Sequence, residues 1–203
     1  RRARASQREG VWPLHLGRGV AVGRNPSQRA CGPGVARPVL VLTKDETARI
    51  RKGAAALALE AGRLLLGGFR KDVKTRVKGV GGDLVTEYDE RCEALLRSRL
   101  AELTPEAAFV GEESGGDPGS GLAWHVDPID GTSNFAHGHP YFAISMGLWS
   151  ASEPLVGIVH APAMQLMFTA SRGGGADRNG GPIRVSGTER LEDALLATGF
   201  PPD

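Results

Sequence analysis

Apolar residues recur at Ile50, Ala54, Leu57, Ala58, Ala61, Leu64, Leu65 and Phe69, one face of a helix at 3.6 residues per turn. Thr43 stands where an N-cap belongs, and Glu46, three residues on, completes a capping box; Gly67 and Gly68 weaken the far end. The same spacing returns in Cys92, Leu95, Leu96, Arg99, Leu100 and Leu103, with Pro105 beyond, and predicts a second helix from about Glu87 to Leu103. After it the period shortens. Runs at 107–110, 123–126, 141–149, 155–160, 166–170 and 183–185 read as strands, with Asn179-Gly180 a hairpin signal and Gly173-Gly174-Gly175 a bend or close backbone approach. Two helices followed by hairpin-linked strands predict an α+β layer with a largely antiparallel sheet.

Residues 1–43 follow neither period. They hold eight arginines against Glu9 alone, a net charge of +7, together with Pro13, Pro26, Pro33 and Pro38, and read as a disordered extension. Pro13, His15 and Arg18 interrupt any secretory apolar region, whereas the near absence of acids leaves an organellar transit peptide open. A nucleic-acid-binding arm is the functional alternative to plain leader sequence, although Trp12 is the one aromatic residue there for stacking. Nucleic acid is not the expected partner.

Composition sets bounds on the remainder. With 203 residues, 40% apolar and 24% charged, the chain makes one or at most two domains with a real core. The longest apolar stretch, Ala54 to Leu59, is closed by Glu60. That is far short of the roughly 18 residues of a membrane span, so a soluble, cytoplasmic protein is expected. Cys31 and Cys92 lack metal-ligand spacing, exclude a disulfide scaffold and fit a reducing compartment.

Four acids stand at element boundaries: Asp89 opening the second helix, Glu112 after one strand, and Asp127 and Asp130 after the next. Pro128 stiffens the stretch Asp127-Pro128-Ile129-Asp130-Gly131-Thr132 as a turn. The two carboxylates and the Ile129 carbonyl can then point to one side as hard oxygen ligands suited to Mg²⁺. Gly131 and Thr132 open a helical turn whose unpaired N–H groups suit a phosphate. Singly, each residue has a plainer reading: Asp130 as a cap, Asp89 as a complement to the helix dipole, Glu112 and Glu113 as solvated loop residues. Together the acids would repel one another unless cations lie between them. His137 and His139 lack the partners of a zinc site, and Ser133 and Ser145 lack a nucleophile-elbow context.

Three ordered motifs carry a likeness. Asp83-Leu84-Val85-Thr86-Glu87-Tyr88-Asp89, then Gly111-Glu112-Glu113-Ser114, then Trp124 to Phe135 with His137-Gly138 and Pro140, resemble the inositol monophosphatase family, and the likeness continues from about residue 45 to 203. It implies the layered sugar-phosphatase fold and a lithium-sensitive phosphomonoesterase using two to three Mg²⁺ ions. The implied partners are a small phosphorylated metabolite and, in the full-length form, a second copy. By the same resemblance, Glu112, Asp127 and the Ile129 carbonyl hold one Mg²⁺, Asp127 and Asp130 contribute to a second, and Glu112 touches a third. Asp89 and Thr132 match the pair that activates water. Asp130, Gly131 and Thr132 match substrate and phosphate contacts, and Lys78 a basic residue near the site. Inositol monophosphate is the expected substrate; histidinol phosphate, fructose 1,6-bisphosphate and nucleotide 3′-phosphates belong to relatives sharing the metal motifs.

The family's later Trp-Asp motif, which completes the second metal site, has no counterpart before the chain ends at Pro201-Pro202-Asp203. The expectation is therefore a C-terminally truncated phosphatase. Residues 44–186 would form its metal-binding domain and 187–203 the start of a further one, with an exposed apolar sheet face and weak or absent turnover. The rival from another class is a non-catalytic protein that binds nucleic acid or a protein partner.

Overall fold

The computed structural model describes residues 42–78, 83–150 and 153–196, apart from the side chains of Lys78 and Asp83. Helix α1 runs over Lys44–Gly68. Its capping box is formed as the sequence predicts: the Glu46 amide donates to Thr43 Oγ1 at 3.2 Å, and the Thr43 amide donates to Glu46 Oε2 at 2.8 Å. Ile50, Ala54, Ala58, Ala61 and Leu65 form its buried face. Leu42, just before the cap, already packs against the core, so the packed part includes one residue of the expected 1–43 extension; residues 1–41 lie outside the described ones.

Strands β1 (Thr75–Lys78) and β2 (Asp83–Thr86) pair antiparallel and lead into α2 (Glu87–Leu103). A seven-stranded sheet follows among the described residues, made of β3 (Ala108–Gly111), β4 (Leu122–Asp130), β5 (Ala143–Ser150), β6 (Glu153–Ala161), β7 (Leu166–Ser171), β8 (Gly175–Arg178) and β9 (Gly181–Ile183), in sequence order across the sheet. A short helix, α3 (Thr132–Ala136), lies between β4 and β5. Asn179-Gly180 joins β8 to β9 as its dipeptide predicts. From β4 onward every neighbouring pair is antiparallel.

The edge pair departs from expectation: β3 runs parallel to β4, with Gly111 beside Val126, so the sheet is mixed. The chain reaches β4 from β3 through residues 112–121, a crossover that returns it to the same starting end. Apolar spacing reports which face is buried and not which way a strand runs.

Helices α1 and α2 cover one face. Trp124, Ile144, Met146, Leu148 and Ile158 meet Ala54, Leu65, Leu96 and Leu100 there, all at 2% exposure or less. Along β5 buried residues alternate with half-exposed ones, the signature of a sheet packed on one side. The other face carries a concavity of about 690 Å³, lined among others by His125, Gly147, Trp149, Gly157 and Phe168. It is not lined by any of the four boundary acids.

Candidate metal and phosphate centre

The parallel edge pair explains how two acids far apart in sequence meet. Parallel strands end on the same side, so the residues leaving β3 and those ending β4 lie next to each other. The Glu112 amide donates to the Val126 carbonyl at 2.9 Å, which puts Glu112 beside Asp127. An antiparallel β3 would have sent Glu112 to the opposite end of the sheet.

The stretch read as a turn stays in the strand. Asp127 pairs with Ser145 and Asp130 with Ala143, so three steps on β4 oppose two on β5. The extra residue is a β-bulge around Pro128, which has no N–H to give the ladder. The bulge breaks the alternation: Pro128 and Ile129 are buried in succession, with half-buried Asp127 and exposed Asp130 on either side. Asp127 Oδ1 accepts from the Ile129 amide at 3.0 Å. Burial first, then the nearby Glu112 and Asp130 carboxylates and Asp89, push the Asp127 carboxyl from its usual 3.8 up to about 7.

Gly131 follows at φ 89, a left-handed conformation that a β-carbon would strain, and turns the chain into α3. No side chain caps this helix, so Asp130 is not a cap. Phe135 anchors α3 at 1% exposure among Phe142, Tyr88 and Phe69, with ring centroids 5.1, 5.7 and 6.1 Å away. That anchor directs Thr132 toward α2. The Thr132 hydroxyl lies 3.0 Å from Asp89 Oδ1 and 2.9 Å from the Ile129 carbonyl, and its single proton serves one of them at a time.

Asp89 itself is fully buried. Its Oδ2 accepts from the Thr86 amide at 2.8 Å and the Thr86 hydroxyl at 2.6 Å, a capping box at the start of α2. The helix-end reading and the pairing with Thr132 are therefore both realised, one on each carboxylate oxygen. His137 Nδ1 lies 2.8 Å from the Ser133 carbonyl, and His139 stacks on Tyr141. The Lys78 backbone pairs with Asp83 in the β1–β2 ladder; its side chain, expected near the site, lies outside the described residues.

Among the described residues, no three His, Cys, Asp or Glu side chains are drawn together closely enough to cage a cation. The donor set nonetheless fits a hard divalent ion: carboxylates and one carbonyl, with burial first and the neighbouring carboxylates second holding a proton on Asp127 near neutrality. A cation there would relieve that repulsion. One buried carboxylate at the site was not singled out from the sequence. Glu93, at 4% exposure, accepts from the Glu113 amide at 2.9 Å. Its signal was its place four residues after Asp89 on the face of α2 that carries Leu96 and Leu100.

The model of the inositol monophosphatase family matches residues 46–203. The chain belongs to that family. It is 41% identical over 151 residues to inositol monophosphatase 2 of Solanum lycopersicum, covering 71% of this chain and 57% of the relative. It is 42% identical over 153 residues to Nus factor SuhB of Pseudomonas aeruginosa, covering 73% and 56%. Among solved structures, the IMPase of Thermotoga maritima superposes with a TM-score of 0.64 at 34% identity, over 68% of this chain and 54% of that one. An IMPase/NADP phosphatase complexed with Mg²⁺ and phosphate superposes at 0.66 with 25% identity, over 73% and 57%. The chain thus spans a little over half the length of these family members, and the α+β fold with its mixed sheet corresponds to roughly their N-terminal half.

Proposed function

We propose that this chain carries the metal-binding half of a Mg²⁺-dependent phosphomonoesterase whose substrate is a small phosphorylated metabolite, inositol monophosphate first among them. The observation that carries the reading is the parallel β3–β4 pairing, which sets Glu112 beside Asp127 at the carboxyl ends of two strands. Glu112, Asp127 and the Ile129 carbonyl would hold one Mg²⁺, with Asp127 and Asp130 contributing to a second and Glu112 to a third. Bound there, Mg²⁺ supplies positive charge that eases deprotonation of water and offsets charge on the phosphate oxygens.

The chain's own residues do the rest. With its proton directed to Asp89 Oδ1, Thr132 Oγ1 presents a lone pair to a water proton and orients that water for in-line attack. Burial of Asp89 fixes the pair in one geometry. The Gly131 and Thr132 amides, at a first turn whose N–H groups have no intrahelical partner, would receive phosphate oxygens. Because α3 is only five residues long, these amides matter and a macrodipole does not. Asp130, exposed beside them, would meet a substrate hydroxyl. Lithium sensitivity and homodimerisation belong to the same reading.

The test is calorimetric binding of Mn²⁺, a close substitute for Mg²⁺, with and without inorganic phosphate, followed by phosphate release from inositol 1-phosphate, histidinol phosphate, fructose 1,6-bisphosphate and a nucleotide 3′-phosphate. Saturable Mn²⁺ binding that strengthens with phosphate and is lost in Asp127→Asn supports the reading. Binding that is the same in Asp127→Asn sinks it. The relative named a Nus factor gives a second reading, a non-catalytic binding role. Salt-dependent RNA binding that survives Asp127→Asn and disappears on removing residues 1–41, which spares Leu42 and the Thr43 cap, would favour that one.

A further inference from the structure

Resting on the reading that Glu112 binds metal, we infer that Glu93 is a positioning residue for it: its buried carboxylate holds the Glu113 amide and thereby fixes the turn that carries Glu112. Residues 112–114 form a turn closed by two bonds between Gly111 and Gly115, the Gly111 amide donating to the Gly115 carbonyl at 3.1 Å and the Gly115 amide to the Gly111 carbonyl at 2.9 Å. Outside that closure, several contacts attach the turn to the protein. The Glu112 amide bonds to β4, the Glu113 amide to Glu93 Oε2, and the Ser114 hydroxyl to the Arg97 guanidinium. Arg97 lies 3.8 Å from Glu93 Oε1 and 4.1 Å above the Phe109 ring, so one helical turn of α2 grips both the turn and the strand feeding it.

Glycine at position 111 makes this possible. A β-carbon there would stand 2.3 Å from Glu93 Oε2, so any other residue would push the carboxylate out from beneath the strand end. A carboxylate at 4% exposure is costly to bury unless its bonds do something for the fold or the site. Here Oε2 takes an amide of the segment bearing Glu112, while Oε1 faces Arg97, which itself reaches Ser114 of the same turn.

Positioning depends on the length of the side chain, whereas a long-range electrostatic effect depends on its charge. Glu93→Asp keeps the charge and withdraws the acceptor by one methylene; Glu93→Gln keeps the reach and an acceptor oxygen without the charge. The experiment measures Mn²⁺ affinity of the whole chain by calorimetry at low temperature, with thermal midpoints and exchange of the Glu113 amide followed separately. Glu93→Asp and Glu93→Ala are expected to bind Mn²⁺ about tenfold more weakly, in the range usual for residues that orient a metal ligand. Glu93→Gln is expected to stay near wild type and to keep the Glu113 amide protected. Folded Glu93→Asp or Glu93→Ala with wild-type affinity overturns the inference, even if their midpoints fall, because that is a structural role alone. Glu93→Gln binding as weakly as Glu93→Ala overturns it in favour of charge. If Glu93→Ala does not fold, the Asp and Gln variants decide. Failure of the metal reading itself is separately visible, because wild type and Asp127→Asn would then bind alike, and the inference falls with it.

Discussion

Replacing Asp127 by Asn should stabilise the metal-free protein while abolishing its response to metal. In the absence of a cation, burial and the Glu112 and Asp130 carboxylates raise Asp127 from 3.8 to about 7. Each tenfold in proton affinity is worth about 1.4 kcal/mol, which sets a ceiling of roughly 4 kcal/mol on the cost of ionising it in the folded chain. Asp127 is only half-buried, and screening by solvent brings this down to about 1–2 kcal/mol. The folded state keeps the proton to higher pH than the unfolded chain does. The cost is therefore absent below about 3.8, grows as pH rises through that window and is complete above about 7. Asn keeps an oxygen for the Ile129 amide, so nothing else is lost. Urea denaturation in a chelator should show Asp127→Asn equal to wild type near pH 4 and more stable by about 1–2 kcal/mol at pH 8. Millimolar Mn²⁺ should then raise the wild-type midpoint and leave the variant unchanged. A variant no more stable than wild type at pH 8 in chelator would mean that the acids do not crowd one another, and the argument for a cation between them would fail.

Phe135→Ala should cost about 3–5 kcal/mol in chemical denaturation, because the ring is buried among three aromatic neighbours. In the folded fraction it should also weaken phosphate binding, since Thr132 rides on the same short helix. Thr104→Val removes the hydroxyl that accepts from the buried Trp124 indole at 2.8 Å and should cost about 1–3 kcal/mol, read from the urea midpoint. His160, buried with its Nδ1 3.0 Å from the Leu166 carbonyl, has its pKa lowered by burial. The unfolded chain therefore takes up that proton first, and the stability difference between wild type and His160→Gln should be full above about pH 6.5 and shrink as pH falls below it. A difference that is flat from pH 5 to 8 would count against a neutral buried ring.

The two long helices were legible almost to the residue, because amphipathic period and capping are local: Thr43 with Glu46 closes the expected box, and a second box, Thr86 with Asp89, was not read from the sequence. Most strands of the sheet were legible from apolar alternation and turn dipeptides. The strands missed are β1, β2 and β8, four residues each. β1 and β8 carry two charged residues each among four, so no apolar period marks them. The direction of β3 was not legible, since alternation is the same for parallel and antiparallel neighbours, yet that direction is what brings Glu112 to Asp127. Pro128 suggested a turn for a sound local reason, and the sheet accommodated it as a bulge instead because Ile129 is needed in the core at 1% exposure. Glu93 was not singled out, although its spacing puts it on the buried face of α2; that it serves as a buried acceptor depends on the space left by Gly111 on β3.

The centre is assembled from three segments, the turn after β3, the bulge in β4 and the start of α3, and each is tied to the same face of α2. Asp89 reaches the Thr132 hydroxyl, the Cys92 thiol lies 3.5 Å from the Pro128 carbonyl at the bulge, and Glu93 takes the Glu113 amide. Cys92, between the two acids, is pushed up to about 12 by burial and then by Asp89, Asp127 and Glu93, so it stays a neutral thiol and adds no further negative charge where acids already crowd. Leu96 and Leu100 continue this face into the core at 1% exposure or less. A loop-borne site can be tuned residue by residue, but here the relative placement of turn, bulge and short helix is inherited from one rigid rod seated in the core. Changes at Asp89, Glu93 and the Leu96 seat should consequently be non-additive in metal binding, because each loosens the same element and a second loosening has less left to remove.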